Sequence, residues 1–140
     1  MNNNLKNKLI EFAQNLIHIN DNITQRHFSF IVQRNKVLSF GWNKKKKTHP
    51  LAFKYGFEYP NIHSEIDAII NFPYTPWLLR KCILVNIRLN IFQQLRMSKP
   101  CRFCMKALCA FEFKEIWYST GPNKQYPNIK EELINGNQIA

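Results

Sequence analysis

Two short segments, far apart along the chain, constrain its fold more than any other feature: His63-Ser64-Glu65 and Pro100-Cys101-Arg102-Phe103-Cys104. Together they offer one imidazole and two thiols, the nitrogen and sulfur ligands that zinc prefers. Catalytic zinc sites typically use three protein ligands and keep the fourth position open, whereas structural sites close all four. The sequence therefore predicts a fold that brings His63, Cys101 and Cys104 together as ligands of one Zn²⁺ ion.

The two segments have the pattern H-x-E followed by P-C-x-x-C, which resembles the signature of zinc nucleobase deaminases. Zinc lowers the pKa of a bound water to about 7 and so makes hydroxide available for attack on an amidine-like carbon. A carboxylate is then needed to carry a proton to the ring nitrogen and to the leaving ammonia. Glu65, two residues after the histidine and not itself a ligand, is predicted to be this general acid and base.

Both halves of the predicted site lie at helix starts. Residues Ser64 to Phe72 and Cys104 to Phe113 carry apolar side chains at helical spacing. Pro60 and Pro100 precede these segments, as suits a chain entering a helix. Helix N-termini carry partial positive charge, so two of them aimed at one metal would stabilise the thiolates.

The cysteine pair has two alternative interpretations. A C-x-x-C sequence can be a redox pair, but this leaves His63 and Glu65 unexplained. A structural zinc site with His49 as the fourth ligand is the second alternative, although His49 is predicted to lie in a loop.

Four other cysteine and histidine residues have no ligand spacing. Cys82 and Cys109 lie in apolar runs and are predicted to be buried as small hydrophobic residues. His18 and His27 lie in amphipathic surroundings and give no functional signal.

Around these motifs the chain resembles the cytidine and deoxycytidylate deaminase superfamily. Gly41-Trp42-Asn43 is similar to the G-x-N after the second strand of deoxycytidylate and tRNA adenosine deaminases. His63 to Ile69 is similar to the family's H-A-E-x-x-A-I, and Ser98 to Leu108 is similar to its S-x-P-C-x-x-C-x-x-A-I. The resemblance runs from about residue 28 to residue 119.

The resemblance implies that Asn43 contacts the substrate sugar. Ser64 stands where the family usually has alanine. The backbone N–H at this position commonly meets the base in the family, so a shifted loop at Ser64 would alter the choice of base.

Hydrophobic patterns predict the secondary structure. A helix is predicted over Leu5 to Ile19, and two strands over Phe28 to Val32 and Val37 to Trp42 with a turn at Asn35-Lys36. Further strands are predicted over Cys82 to Leu89 and Lys114 to Ser119, and a short helix over Ile129 to Ile134. Residues 44 to 61 are predicted to form a long loop, which in a compact domain is usually functional.

This order predicts a three-layer α/β/α sandwich of the cytidine deaminase-like type, with a mixed sheet of about four to five strands. The chain has 140 residues, of which 45% are hydrophobic, so residues 1–140 are expected to form a single domain. The family usually has further helix and sheet beyond residue 120, so the resemblance implies a trimmed, polar C-terminal end here.

No segment approaches the ~20 apolar residues of a membrane span, and the N-terminus lacks the apolar core of a signal peptide. We therefore expect no membrane partner and a cytoplasmic or nuclear, reducing location, which suits free thiolate ligands. The sequence is compatible with a homo-oligomer.

A net charge of +11 and a pI near 9.7 imply attraction to phosphate. The run Lys44-Lys45-Lys46-Lys47 directly follows Asn43. It could hold the phosphate of one nucleotide, or guide single-stranded nucleic acid across the pocket. Nearby aromatic side chains would offer stacking faces: Trp42, Phe53, Tyr55, Phe57 and Tyr59. A solvated loop in a lysine-rich chain is the third interpretation.

Three functional hypotheses follow. The leading one is a zinc hydrolase that deaminates cytosine in a free nucleotide, a small-molecule substrate. The second is a deaminase acting on tRNA or single-stranded DNA, where an unpaired base enters the same pocket. The third is a catalytically silent deaminase fold that serves as a zinc-bound interaction module.

Overall fold

A β-sheet with helices on both faces organises the chain. The computed structural model describes residues 1–22, 24–45, 47, 49–56 and 61–120, and the backbone of 129–132. The helices are α1 (Asn3–Asn15), α2 (Pro50–Lys54), α3 (Ser64–Ile70) and α4 (Arg102–Ala110), with 3-10 helices at Ile17–Ile19 and Pro76–Lys81. The strands are β1 (Arg26–Gln33), β2 (Lys36–Trp42), β3 (Ile83–Leu89), β4 (Leu95–Arg96), β5 (Glu115–Ser119) and β6 (Ile129–Glu132).

The sheet has the strand order β2-β1-β3-β5-β6. Strands β3 and β5 are parallel and are connected through α4, whereas the other neighbouring pairs are antiparallel. The two-residue strand β4 pairs with the end of β3. The predicted mixed sheet is confirmed.

The core is divided between the two faces of the sheet. Helix α1 buries Leu5, Leu9 and Ala13 against one face, and helices α3 and α4 cover the other. Strand residues alternate between the faces because successive side chains of a strand point in opposite directions. Phe28 and Phe30 therefore pack under α1. The predicted α/β/α layering is confirmed.

The face under α3 and α4 changes from apolar to polar along β1 and β3. The antiparallel register places three pairs of residues opposite each other on this face: Ile31 and Leu84, Ser29 and Asn86, and His27 and Arg88. The first pair belongs to the apolar core, whereas Ser29 and Asn86 are buried polar residues. The start of α3 lies over this polar end, which positions the site.

Strand β2 approaches α3 so closely that a side chain at Gly41 has no room. A Cβ atom there would lie 2.7 Å from the carbonyl carbon of Asp67 and 2.8 Å from its Cβ. Ser39 adds a hydrogen bond across the same contact, because its Oγ donates to the Ala68 carbonyl at 2.7 Å. This packing fixes α3 against the sheet.

The predicted loop over residues 44 to 61 contains α2. His49 is its N-cap, since the Nδ1 atom accepts a hydrogen bond from the Leu51 N–H at 3.0 Å, and Pro50 occupies the first helical position. Proline suits that position because its fixed φ is already helical and its missing N–H would have no partner there. Residues 46, 48 and 57–60 of this segment lie outside the described residues.

Two local predictions were wrong. The turn between β1 and β2 is formed by Arg34 and Asn35, both with positive φ (50° and 66°), and Lys36 is already in β2. The segment predicted as a helix over Ile129 to Ile134 contains strand β6, which pairs with β5.

No helix in the described residues is long and apolar enough to cross a membrane.

Candidate metal centre and active site

The structure brings the three predicted zinc ligands together. The Nδ1 atom of His63 lies 3.6 Å from the Cys101 Sγ and 3.5 Å from the Cys104 Sγ. All three ligand atoms lie within 4.8 Å of one another. His63 and Cys101 are the N-cap residues of α3 and α4, so both halves of the cluster lie at helix starts, as predicted.

The cluster fits a tetrahedral zinc ion. With Zn–S near 2.3 Å and Zn–N near 2.0–2.1 Å, neighbouring nitrogen and sulfur ligands of a tetrahedron stand about 3.5 Å apart. The two His63–Cys distances, 3.5 and 3.6 Å, match this spacing. One imidazole and two thiols are also a donor set typical of a catalytic zinc site with an open fourth position.

The two thiols differ in their tendency to ionise. A hydrogen bond from Cys104 lowers the pKa of Cys101 to about 4, and His63 adds to this effect. Burial raises the pKa of Cys104 well above its ordinary value, and Cys101 and Glu65 raise it further. Burial also lowers the pKa of His63, but Cys101 and Glu65 outweigh it and hold the value above the usual one. Cys101 therefore ionises more readily than Cys104.

Glu65 lies in the same cavity as the cluster. The cavity has a volume of about 150 Å³, and its lining includes Glu65, His63 and Cys101. The Glu65 side chain is buried, and its Oε1 accepts a hydrogen bond from the Ser64 hydroxyl at 2.8 Å. Glu65 is therefore a buried carboxylate that shares a cavity with His63 and Cys101.

Sequence reasoning missed several cavity residues. His27, Asn86, Gln25 and Lys99 also line the cavity. Burial lowers the pKa of His27, and Glu65 only partly offsets this, which favours the neutral imidazole. The available signal was alternation: His27 and Ser29 are polar residues that alternate with Phe28 and Phe30 and so share one face.

Asn43 lines the cavity and also ties the preceding loop to the sheet. Its Oδ1 accepts hydrogen bonds from the His27 N–H at 3.0 Å and from the Asn20 amide at 2.8 Å. Its Nδ2 donates to the Gln25 carbonyl at 2.7 Å. The bond to Gln25 uses one of the two Nδ2 protons of Asn43 and leaves the other for a ligand. The predicted contact between Asn43 and a substrate sugar stays a prediction.

The lysine run divides into paired and exposed residues. Lys44 Nζ lies 2.5 Å and Lys47 Nζ 3.3 Å from the carboxylate of Asp67, which is fully buried on α3. Lys44 Nζ also lies 3.7 Å from the centroid of the Trp42 ring. Lys45 is exposed and lines a second cavity of about 310 Å³, and Lys46 lies outside the described residues.

The second cavity adjoins the first. Gln25, Asn43 and His63 line both. Lys44 and Ile62, which both line the second cavity, are joined by a two-way backbone pair: the Lys44 N–H donates to the Ile62 carbonyl and the Ile62 N–H donates to the Lys44 carbonyl, both at 2.9 Å. A ligand reaching from the metal cluster toward Lys45 would cross this junction.

The remaining cysteine and histidine predictions have clear outcomes. His49 is not part of the cluster, and its Nδ1 caps α2. Cys82 is buried in the core under α3 and α4, which also raises its pKa, as expected for a small hydrophobic residue. Cys109 is only half-buried.

No protein-family model matches the sequence. No curated protein matches it either. Solved structures do match the fold. The dCMP deaminase of cyanophage S-TIM5 in complex with dCMP and dUMP has a TM-score of 0.54 and 16% sequence identity, over 84% of this chain and 82% of that one. The apo form of the same enzyme has a TM-score of 0.54 and 15% identity, over 88% of each chain.

The chain has a cytidine deaminase-like α/β fold, and its His63, Cys101 and Cys104 side chains form a group that could hold a metal ion. Both of these structures are of a dCMP deaminase.

Proposed function

We propose that this chain is a zinc-dependent hydrolytic deaminase that converts the cytosine of a free (deoxy)cytidine nucleotide to uracil. The observation that carries the proposal is the His63, Cys101 and Cys104 cluster with the Glu65 carboxylate in the same cavity. The choice of cytosine is supported by the fold shared with dCMP deaminases.

The zinc ligands in this proposal are His63 Nδ1 and the two cysteine Sγ atoms. A bound zinc ion lowers the pKa of a bound water to about 7 and so supplies a nucleophile at neutral pH. The net reaction adds one water to the base at C4 and releases one ammonia.

Glu65 moves the protons of the reaction. It accepts a proton as the nucleophile forms, delivers a proton to N3 of the base, and assists the departure of the amino group as ammonia. Its burial favours this role, because a carboxylate shielded from bulk water exchanges protons with the substrate rather than with solvent.

The substrate's sugar and phosphate are assigned to the adjoining cavity. Asn43 lies between the two cavities, so its remaining Nδ2 proton is placed to meet a sugar hydroxyl. Lys45 is the exposed cation of the second cavity and is the residue proposed to bind the phosphate.

A deaminase acting on single-stranded nucleic acid is the second candidate, and the charge of +11 favours it. The aromatic side chains near the lysine run, which would have to stack with nucleobases, argue against this second candidate. Trp42 packs against Phe40, with 6.1 Å between ring centroids, and carries Lys44 over its ring. Phe53 is exposed, whereas Tyr55 is half-buried, and Phe57 and Tyr59 lie outside the described residues.

One assay tests the proposal. Purified, zinc-loaded protein is offered dCMP, CMP, dCTP, deoxycytidine and single-stranded oligonucleotides side by side, and products are measured by mass spectrometry. We expect a gain of about one mass unit, from loss of NH and gain of O, with a monophosphate preferred. Turnover of oligonucleotides alone would favour the second candidate, and no turnover of any substrate would favour a catalytically silent module.

A further inference from the structure

Ser64 carries a buried hydroxyl that the proposed mechanism has not yet used. It is the first residue of α3, is 0% exposed, and lies between the zinc ligand His63 and the proton carrier Glu65. Its Oγ is within hydrogen-bond distance of three atoms: Glu65 Oε1 at 2.8 Å, Ser29 Oγ at 2.7 Å and Asn86 Oδ1 at 3.1 Å.

The surrounding atoms determine where the Ser64 proton points. The Asn86 amide is oriented by its Nδ2, which donates to the Ser98 carbonyl at 2.7 Å, so its Oδ1 faces the serines as an acceptor. Ser29 Oγ reaches this Oδ1 at 2.9 Å and can supply its proton. A hydroxyl has a single proton to donate. Every acceptor is satisfied when Ser29 donates to Asn86 and Ser64 donates to Glu65.

We infer that Ser64 is a positioning residue, whose hydroxyl holds Oε1 of Glu65 and leaves Oε2 to exchange protons with the substrate. This inference rests on the proposed function. Hydrogen bonds to an ionised group are short and directional, so the bond fixes the rotation of the carboxylate. Ser29 and Asn86 in turn fix the hydroxyl from the sheet, so the carboxylate is aligned by the rigid part of the fold.

Alanine, the residue that the resembled family usually has here, offers no such donor. In this chain, alanine at position 64 would leave Glu65 Oε1 without the hydroxyl and would open a small gap beside two buried polar side chains. Glu65 would then adopt more than one rotamer, and the fraction aligned for proton transfer would fall. The variant should fold, because alanine is smaller than serine and suits a helix.

The test compares Ser64→Ala with Ser39→Ala, a matched control. Ser39 is also a buried serine that donates to α3, at the Ala68 carbonyl, but it does not reach Glu65. For Ser64→Ala we expect kcat on the wild type's preferred cytosine substrate to fall about 10- to 100-fold, with KM changed by less than about twofold. Ser39→Ala should leave kcat within about twofold of wild type. A kcat within twofold of wild type for Ser64→Ala would overturn the inference while leaving the deaminase function intact.

A double-mutant cycle separates alignment of Glu65 from a general loss of packing. In a Glu65→Gln background, Ser64→Ala should change the residual rate by less than about twofold, because the group that it aligns no longer carries protons. A further tenfold loss in that background would show that Ser64 acts independently of Glu65 and would contradict the inference.

A structural measurement decides the inference even if the wild type deaminates none of the substrates. Crystal structures of the zinc-loaded wild type and of Ser64→Ala should show one Glu65 conformer in the wild type and a rotated or multiple conformer in the variant. An unchanged single conformer in the variant would overturn the positioning role, whatever the activity of the wild type.

Discussion

Asp67 is a fully buried carboxylate on α3 that organises the segment after β2. Its oxygens receive the ammonium groups of Lys44 and Lys47 and the backbone N–H of Trp42 at 3.1 Å. A buried charge without partners is costly, so these lysines contribute to the fold as well as to the surface charge. The lysine run is therefore a mixture of structural and exposed residues, which its uniform sequence conceals.

Because Lys44 is paired with Asp67 and Lys45 is exposed, their substitution by alanine should affect different properties. Lys45→Ala should raise KM for a nucleotide monophosphate several-fold more than KM for the matching nucleoside, with unchanged melting, because it removes an exposed cation. Lys44→Ala should lower the free energy of unfolding by about 1–3 kcal/mol, because it removes a partner of buried Asp67. Steady-state kinetics and thermal denaturation of both variants measure this. If Lys44→Ala and Lys45→Ala changed the melting temperature equally, the division of the lysine run into paired and exposed residues would be contradicted.

The metal centre gives a second prediction at the scale of single residues. Wild-type protein should bind about one zinc ion per chain, and Cys101→Ser should bind much less and melt at a lower temperature, because a lost thiolate weakens metal binding that is coupled to folding. Metal content is measured by plasma emission. Cys109→Ser, also half-buried but outside the cluster, is the control and should keep full zinc. Full zinc content in Cys101→Ser with unchanged melting would remove Cys101 from the centre.

At the scale of elements, the sequence predicted most helices and strands because their patterns are local. It failed where pairing or capping decides the structure. Strand β6 forms by pairing with β5, a partner that no local pattern identifies. Helix α2 begins at Pro50, which suits a helix start, but His49 before it is not one of the residue types that usually cap a helix. Arg34 adopts a positive φ that is unusual for its side chain.

The contact between β2 and α3 gives a prediction at this scale. Gly41→Ala should lower the free energy of unfolding by about 1–3 kcal/mol, because the added Cβ overlaps backbone atoms of Asp67 that cannot move independently. The added Cβ would also displace α3, whose N-cap residue is His63, so Gly41→Ala should weaken zinc binding as well. Denaturant unfolding with and without zinc measures both effects. An unchanged midpoint would mean that β2 and α3 are further apart than in the structure.

At the scale of the whole molecule, the site was predictable in part. The candidate metal-ligating cluster and Glu65 could be singled out because each half of their motif is local in sequence. His27, Asn86 and Lys99 join them only through the pairing of β1 with β3 and the packing of the segment before α4. A single sequence does not reveal which residues this pairing and packing bring together. The polar residues His27 and Ser29 do mark one face of β1.

The net charge of +11 gives a prediction for the whole molecule. If the substrate is a free nucleotide, binding to a single-stranded oligonucleotide should involve few phosphate contacts, with a log–log salt slope shallower than about −2. Fluorescence anisotropy of a labelled strand across a salt series measures the slope. A slope of about −4 or steeper, together with deamination of the strand, would establish the nucleic-acid alternative.

In the proposed function, this chain deaminates a cytosine nucleotide with Glu65 as the proton carrier beside a zinc centre. The decisive experiment measures dCMP turnover and zinc content in the same preparations of wild type, Glu65→Gln and the exposed control Glu112→Gln. We expect turnover by the wild type and the control, and a loss of at least about 100-fold in Glu65→Gln with zinc content unchanged. Turnover by Glu65→Gln within a few-fold of the wild type would contradict the claim.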